Sequence, residues 1–244
     1  MKFIRAASVL SFSLFAAAAH AASYTWNGAS GLLPSEVSPP FSLVDTASPE
    51  QPTLSGGVLT LSGNLIAETM YYIVSGDSID LPDHLVVDFR MRFVSGNTSE
   101  PYRAPAGVAI TTANGVGVSL WIDRDEAFLL SGFQTVGDRS TSIDTDAAFH
   151  DYRIVITGRD AGSGVSVWYD GMPLLTGQTF ASTAANGTVP RVLFGEFSIQ
   201  AAGVTEWQSF SVSAVPEAGS GVLAGIGVLA LGLLRRRGVP RGAR

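Results

Sequence analysis

The chain lacks cysteine altogether, has a single lysine and three histidines, and only 15% of its 244 residues are charged. Ordinary soluble domains carry about 25% charged residues. Without cysteine there is no disulfide scaffold and no thiolate metal site. The histidines are His20, His84 and His150, well apart in sequence. Zinc needs three or four convergent ligands, so a zinc centre is not expected. Basic residues are scarce too: Lys and Arg total 15 against 21 Asp and Glu, a net charge of -6. Nucleic acid is therefore not expected as a partner, since its phosphates demand a basic surface. No phosphate loop, dinucleotide fingerprint or Gly-x-Ser-x-Gly elbow is present. With 46% apolar residues and no short repeat, a disordered or collagen-like chain is also excluded.

The charge that is present is unevenly spread. Lys2 and Arg5 are the only charges in the first 21 residues. The last 30 hold five arginines against Glu217 alone. Residues 22–214 hold 8 arginines and 20 acids, a net of -12. A charge of this size keeps a domain soluble and repels phosphates.

Both ends read as targeting segments. Lys2 and Arg5 form a positive start, Val9 to Ala19 an apolar stretch, and Ala19-His20-Ala21 a small-residue cleavage site. This is the layout of a secretory signal peptide over 1–21, cut between Ala21 and Ala22 by signal peptidase after passage through the export translocon. At the other end, Pro216-Glu217 precedes sixteen uncharged residues, 219–234, closed by Arg235, Arg236 and Arg237. The run would span about 24 Å as a helix, short of a 30 Å hydrocarbon core. Snorkelling arginines cover the difference. The positive-inside rule keeps those arginines cytoplasmic, so the acidic middle is expected outside.

That three-part tail over 215–244 resembles a PEP-CTERM sorting signal, although Ala218 stands where the family has its second proline. Such tails belong to exported proteins of Gram-negative bacteria that make extracellular polysaccharide. The resemblance implies an exosortase-type transpeptidase as partner, an inner-membrane anchor before sorting, and a final place at the cell surface or outside the cell.

The middle, 22–214, reads as one all-β domain. Val87, Phe89, Met91 and Phe93 alternate with Asp88, Arg90 and Arg92, which is a strand with one wet face. Further strands are expected at 58–62, 70–74, 107–112, 117–122, 127–130, 152–157, 165–169, 192–197 and 207–212. Asp123 to Glu126 reads as one hairpin turn, and Asp170-Gly171 as another, leading to a strand at 173–175. Residues 23–55 carry five prolines and read as an irregular lead-in with at best one strand. Ten or so short antiparallel strands without helices give a two-sheet sandwich, and the order of features resembles a jelly roll. The segments 149–156 and 165–171, with the closing strand 204–212, resemble the concanavalin-like, laminin-G-like family. There the last strand returns beside the first.

The acids Asp123, Asp125 and Glu126 are the sharpest cluster. Asp123 and Asp125 have the two-residue spacing that sends paired glycosidase carboxylates into one cleft. The same cluster, or Asp77, Asp80 and Asp83, could hold calcium; otherwise no cofactor is expected. In the strand 165–169, Trp168 has the opposite parity to Val165, Val167 and Tyr169, so it belongs to the other sheet face and becomes a candidate ligand contact. Trp121 and Trp168 each read first as core or sheet surface rather than as a binding platform. Asn97-Thr98-Ser99 and Asn186-Gly187-Thr188 match glycosylation sequons but are discounted in a bacterial export setting. With no catalytic constellation visible, the expectation is a non-enzymatic, lectin-like surface protein associated with extracellular polysaccharide or biofilm matrix. The alternatives are a glycoside hydrolase or lyase on the same fold, and a purely structural adhesive protein.

Overall fold

The computed structural model describes residues 23–214, apart from 47–49, 64–65, 76–83, 99–102, 113, 132–134, 142, 159, 180 and 183–188. The expected signal peptide with Ala21 and Ala22, and the expected sorting tail with Pro216, Glu217 and Arg235 to Arg237, lie outside the described residues. So do Asp77, Asp80, Asp83, Ser99 and the second sequon. Among the described residues no helix is long and apolar enough to cross a membrane.

Among the described residues sixteen strands form two antiparallel sheets, the two-sheet sandwich that the alternation pattern predicts. In chain order they are β1 (Tyr24–Asn27), β2 (Ser42–Thr46), β3 (Thr53–Ser55), β4 (Val58–Gly63), β5 (Thr69–Ser75), β6 (Leu85–Thr98), β7 (Ala106–Thr111) and β8 (Val116–Ile122). They continue with β9 (Glu126–Ser131), β10 (Thr135–Thr141), β11 (His150–Ile156), β12 (Gly164–Tyr169), β13 (Met172–Thr179), β14 (Ala181–Ser182), β15 (Arg191–Glu196) and β16 (Ala201–Ala214). Sheet one runs β13-β12-β11-β6-β16-β4-β3, with β1 also beside β16. Sheet two runs β10-β9-β8-β7-β15-β5-β2, with β14 also beside β8. The lead-in holds three strands rather than one. Its prolines fall between β1, β2 and β3, where no ladder donor is needed.

The register follows the alternation. In β6, Leu85, Val87, Phe89, Met91 and Phe93 are buried, and the residues between them are partly exposed. β16 lies along almost all of β6, Ala214 opposite Leu85 and Ala201 opposite Thr98, with two bulges. Its other edge is shared end to end, Gly203 to Trp207 on β4 and Ser209 to Val212 on β1. The core between the sheets centres on Phe194. Its ring lies 4.3 Å from Phe210, 5.0 Å from Trp207 and 5.7 Å from both Tyr72 and Phe41. Each such ring, fully buried, contributes about 1.5–3 kcal/mol by removal from water.

At one end of the sandwich the sheets close tightly. Gly63, Gly203 and Gly96 stand opposite one another across β4, β16 and β6. A side chain there has no room. A Cβ on Gly203 would lie 2.4 Å from Pro105, and one on Gly63 would lie 1.9 Å from the Glu196 carboxyl.

Candidate functional site

Alternation gives each sheet an outward face, and the two faces hold the polar chemistry. On sheet one, side chains from adjacent strands form rows. Ser211, Asp88, Arg153, Trp168 and Pro173 follow one another across β16, β6, β11, β12 and β13. Arg153 grips Asp88 with both ends of its guanidinium, Nε to Oδ1 at 2.6 Å and Nη2 to Oδ2 at 3.1 Å. That pairing raises the Arg153 pKa further above its ordinary value. Alongside, Arg90 Nη1 meets Asp151 Oδ2 at 2.8 Å, and Arg92 Nε meets Glu206 Oε2 at 2.7 Å. Trp168 stands half-exposed on this face, as its parity predicts. A depression of about 570 Å³ opens beside it, lined among others by Asp88, Asp151, Arg153 and Trp168.

The edge of this sheet carries a tight polar knot. The Asp170-Gly171 turn has φ of 47° and 77°, the positive values a two-residue hairpin needs. Asp170 accepts from the Asp151 amide at 2.9 Å, and its Oδ2 lies 2.7 Å from His150 Nδ1. Tyr169 lies 2.8 Å from the same nitrogen, and its hydroxyl donates to the Asp144 carbonyl. Burial pushes Asp170 up, but His150, the Asp151 amide and Arg90 outweigh it and hold the carboxyl below its ordinary value. Burial, helped by Asp170 and Asp144, raises the Tyr169 phenol to about 12. His150 thus fastens the β11–β12 edge.

The acidic cluster does not form a cleft. Asp123 and Asp125 sit in the β8–β9 turn, where the Asp123 amide donates to the Glu126 carbonyl at 2.9 Å. The Asp123 carboxylate accepts from the Arg124 amide at 2.8 Å, and Arg124 pairs with Asp146. The Asp123 carboxylate thus helps to shape the turn, and the Asp125 carbonyl accepts from the Ile143 amide. Glu126 has the parity of Phe128, which puts it at one end of the outward face of sheet two. Among the described residues no group of three His, Asp or Glu stands together as a metal site.

The outward face of sheet two is of another kind. Trp121, Phe128 and Leu130 are buried there with Ala104, and Phe197 packs against them. Tyr71, Gly195, Gly107 and Trp121 stand in one row across β5, β15, β7 and β8. The Phe197 ring fills the side-chain gap over Gly107, 4.4 Å from Trp121 and 6.4 Å from Tyr71. Arg103 lies 5.8 Å over the Trp121 ring. Four residues along β15 from Gly195, Arg191 stands opposite Thr111 and donates to its hydroxyl at 3.3 Å. Tyr71 and Arg191 are both half-buried. Burial raises the Tyr71 phenol above its ordinary value, and the Arg191 charge pulls it part of the way back. The two side chains are thus in electrostatic reach of each other on one face. Glu126 is four strands away from Tyr71, about 19 Å at sheet spacing.

Neither Tyr71 nor Arg191 stands out in the sequence. Their signal is weak: in Met70-Tyr71-Tyr72-Ile73-Val74 the alternation must put one tyrosine inward and the other outward.

Between the sheets, Glu196 is only 1% exposed. The burial raises its pKa to about 9. The amides of Gly203 and Gly63 pull it back in part and Glu68 pushes it further up, while neither carboxyl oxygen makes a well-formed hydrogen bond.

No protein-family model matches the chain, and no curated protein matches it. Among solved structures, it is similar to the alginate lyase Aly36B at a TM-score of 0.49 and 13% identity, covering 79% of this chain and 97% of that one. It is also similar to the endo-beta-1,4-glucuronan lyase from the fungus Trichoderma reesei, at 0.42 and 12%, covering 72% and 87%. The carbohydrate recognition domain of Emp47p follows at 0.39 and 10%, covering 71% and 88%. Likeness at this level speaks to the sandwich fold. The expectation of a non-enzymatic, lectin-like protein is not carried forward: two of these three structures are named as polysaccharide lyases.

Proposed function

We propose that the chain is a polysaccharide-acting enzyme that cleaves a uronate-containing polymer by β-elimination on the outward face of sheet two. Its sandwich is then of the concanavalin-like, laminin-G-like type. The observation that carries the reading is the placement of Tyr71 and Arg191 on the same outward face, four residues apart along the paired strands β5 and β15. Hydrolysis by two carboxylates finds no support among the described residues, because Asp123 and Asp125 shape a turn. Elimination needs different groups. A cation must neutralise the uronate carboxylate and so acidify the carbon-bound proton beside it. Arg191 offers the planar fork suited to a carboxylate. A side chain must then exchange protons with the sugar. The Tyr71 phenolate takes the proton from C5, the electron pair forms the C4–C5 double bond, and the C4–O bond breaks. The leaving oxygen takes the proton back from the phenol.

The sequence supports an extracellular polysaccharide setting. In this proposal signal peptidase cuts after Ala21, and the Pro216-Glu217 tail passes to an exosortase-type transpeptidase. Mass spectrometry of surface material would test that part: retention of residues 229–244 would count against processing.

Catalysis is tested with the full chain on alginate and on glucuronan, following the ultraviolet absorbance of the unsaturated product. Tyr71→Phe is expected to lower kcat by about 10²–10⁴-fold. Because burial keeps the phenol protonated, wild-type activity should climb through the alkaline range as phenolate forms. Absence of unsaturated product from both polymers, or a Tyr71→Phe variant as active as wild type, would overturn the assignment.

A further inference from the structure

We propose that the outward face of sheet one is a second glycan-binding surface, on which a neutral sugar chain lies across Trp168. It stands apart from the reading of Tyr71 and Arg191, on the opposite side of the sandwich.

The chain has four tryptophans. Trp26, Trp121 and Trp207 are 1, 2 and 0% exposed, whereas Trp168 is partly exposed on a polar face. A large ring left in contact with water, beside a depression of about 570 Å³, is the usual setting of a ligand platform. Its neighbours complete the chemistry. Asp88 and Asp151 have carboxylate lone pairs beyond those used by Arg153 and Arg90, so they can accept from sugar hydroxyls. The guanidiniums are held in place by the same pairs and offer further N–H donors. The row from Ser211 to Pro173 crosses five strands, about 19 Å at sheet spacing, which is the length of a short oligosaccharide.

The charge balance selects the ligand. Arg90, Arg92 and Arg153 pair with Asp151, Glu206 and Asp88, so these ion pairs leave no net charge on the face. A polyuronate would gain no attractive field here and would meet three carboxylates. A neutral chain meets donors, acceptors and an apolar ring, which match its hydroxyls and the C–H face of its pyranose.

The test uses the full chain with cellohexaose, xylohexaose and mannohexaose as neutral probes and polyguluronate as the charged one. With the other three tryptophans buried, acrylamide quenching reads Trp168. At least one neutral hexasaccharide should protect Trp168, and polyguluronate should not. In gels containing glucomannan, Trp168→Ala should weaken retention by about tenfold or more, the loss of some 1.4 kcal/mol. Trp168→Phe should restore most of it, which separates lost stacking from misfolding. Turnover of soluble uronate oligosaccharides should be unchanged in Trp168→Ala. No protection by any of the three neutral probes would overturn the proposal. So would retention that survives Trp168→Ala in a normally folded variant, or protection by polyguluronate alone. If neutral-glycan retention depends on Trp168 while no variant shows elimination, the surface stands and the catalytic reading of Tyr71 falls.

Discussion

Trp168 and Trp121 occupy corresponding places, each on the outward side of its own sheet, yet one is partly exposed and the other is buried. Around Trp168 the neighbours are ion pairs: Arg153 with Asp88, and Arg90 with Asp151. Around Trp121 they are Phe128, Leu130, Ala104 and Phe197. Sheet one therefore has a single buried face, whereas the middle of sheet two is apolar on both. The difference teaches that face character in a sandwich is set strand by strand. β6 alternates and stays wet on one side; every residue of β8 is buried.

Substitutions can break this contrast. The largest effect is expected on sheet two. Trp121→Ala should destabilise the domain by about 3–5 kcal/mol, as emptying a packed site does. Trp168→Ala should cost roughly 1 kcal/mol or less, in the range of surface changes. Urea unfolding of both variants measures the gap, and equal losses would mean the faces are equally structural.

A second effect belongs to the layer between the faces. The Glu196 carboxyl keeps its proton up to about pH 9 in the folded state, against an ordinary value of 4.5. Between those values the unfolded chain binds fewer protons, so stability falls as pH rises, by as much as about 1.4 kcal/mol per pH unit, and levels off above pH 9. Glu196→Gln should flatten that decline and raise stability at pH 8. Thermal melts from pH 5 to 9 decide it; identical slopes would show that the carboxyl ionises freely.

The smallest effect is expected from the ion pairs of sheet one. Removing Arg153 or Asp88 should shift stability by about 0–1 kcal/mol, because both are well exposed, and salt should shrink the shift further. A larger loss would show that the charged face is structural after all.

Much of the fold can be read from local sequence. Val87, Phe89, Met91 and Phe93 state the period of β6 and which side is wet. The parity of Trp168 against Val165 and Val167 is equally plain. β1, β2 and β3 are hidden because prolines crowd the same stretch and the strands are only three to five residues long. The second apolar cluster is hidden for another reason. In Val116-Gly117-Val118-Ser119-Leu120-Trp121-Ile122 both parities are buried, so no alternation reports two separate environments. The site itself is least legible. Arg191 comes 120 positions after Tyr71, and only the β5–β15 pairing brings them to one face. Asp123 and Asp125 are conspicuous in sequence, and their closeness in the chain is what places both in one turn.

The placement of β16 bears on how the chain reaches this state. Among the described residues it is the last strand made, yet it lies inside sheet one, bonded to β6 on one edge and to β1 and β4 on the other. A nascent chain that stops short of Ala201 has the two halves of that sheet with nothing between them. Closure joins Tyr24 to Val212, nearly the full length of the domain, so folding waits on the final residues and is expected to be slow. Truncation before Ala201 is therefore expected to remove the pairing that joins β6 to β1 and β4.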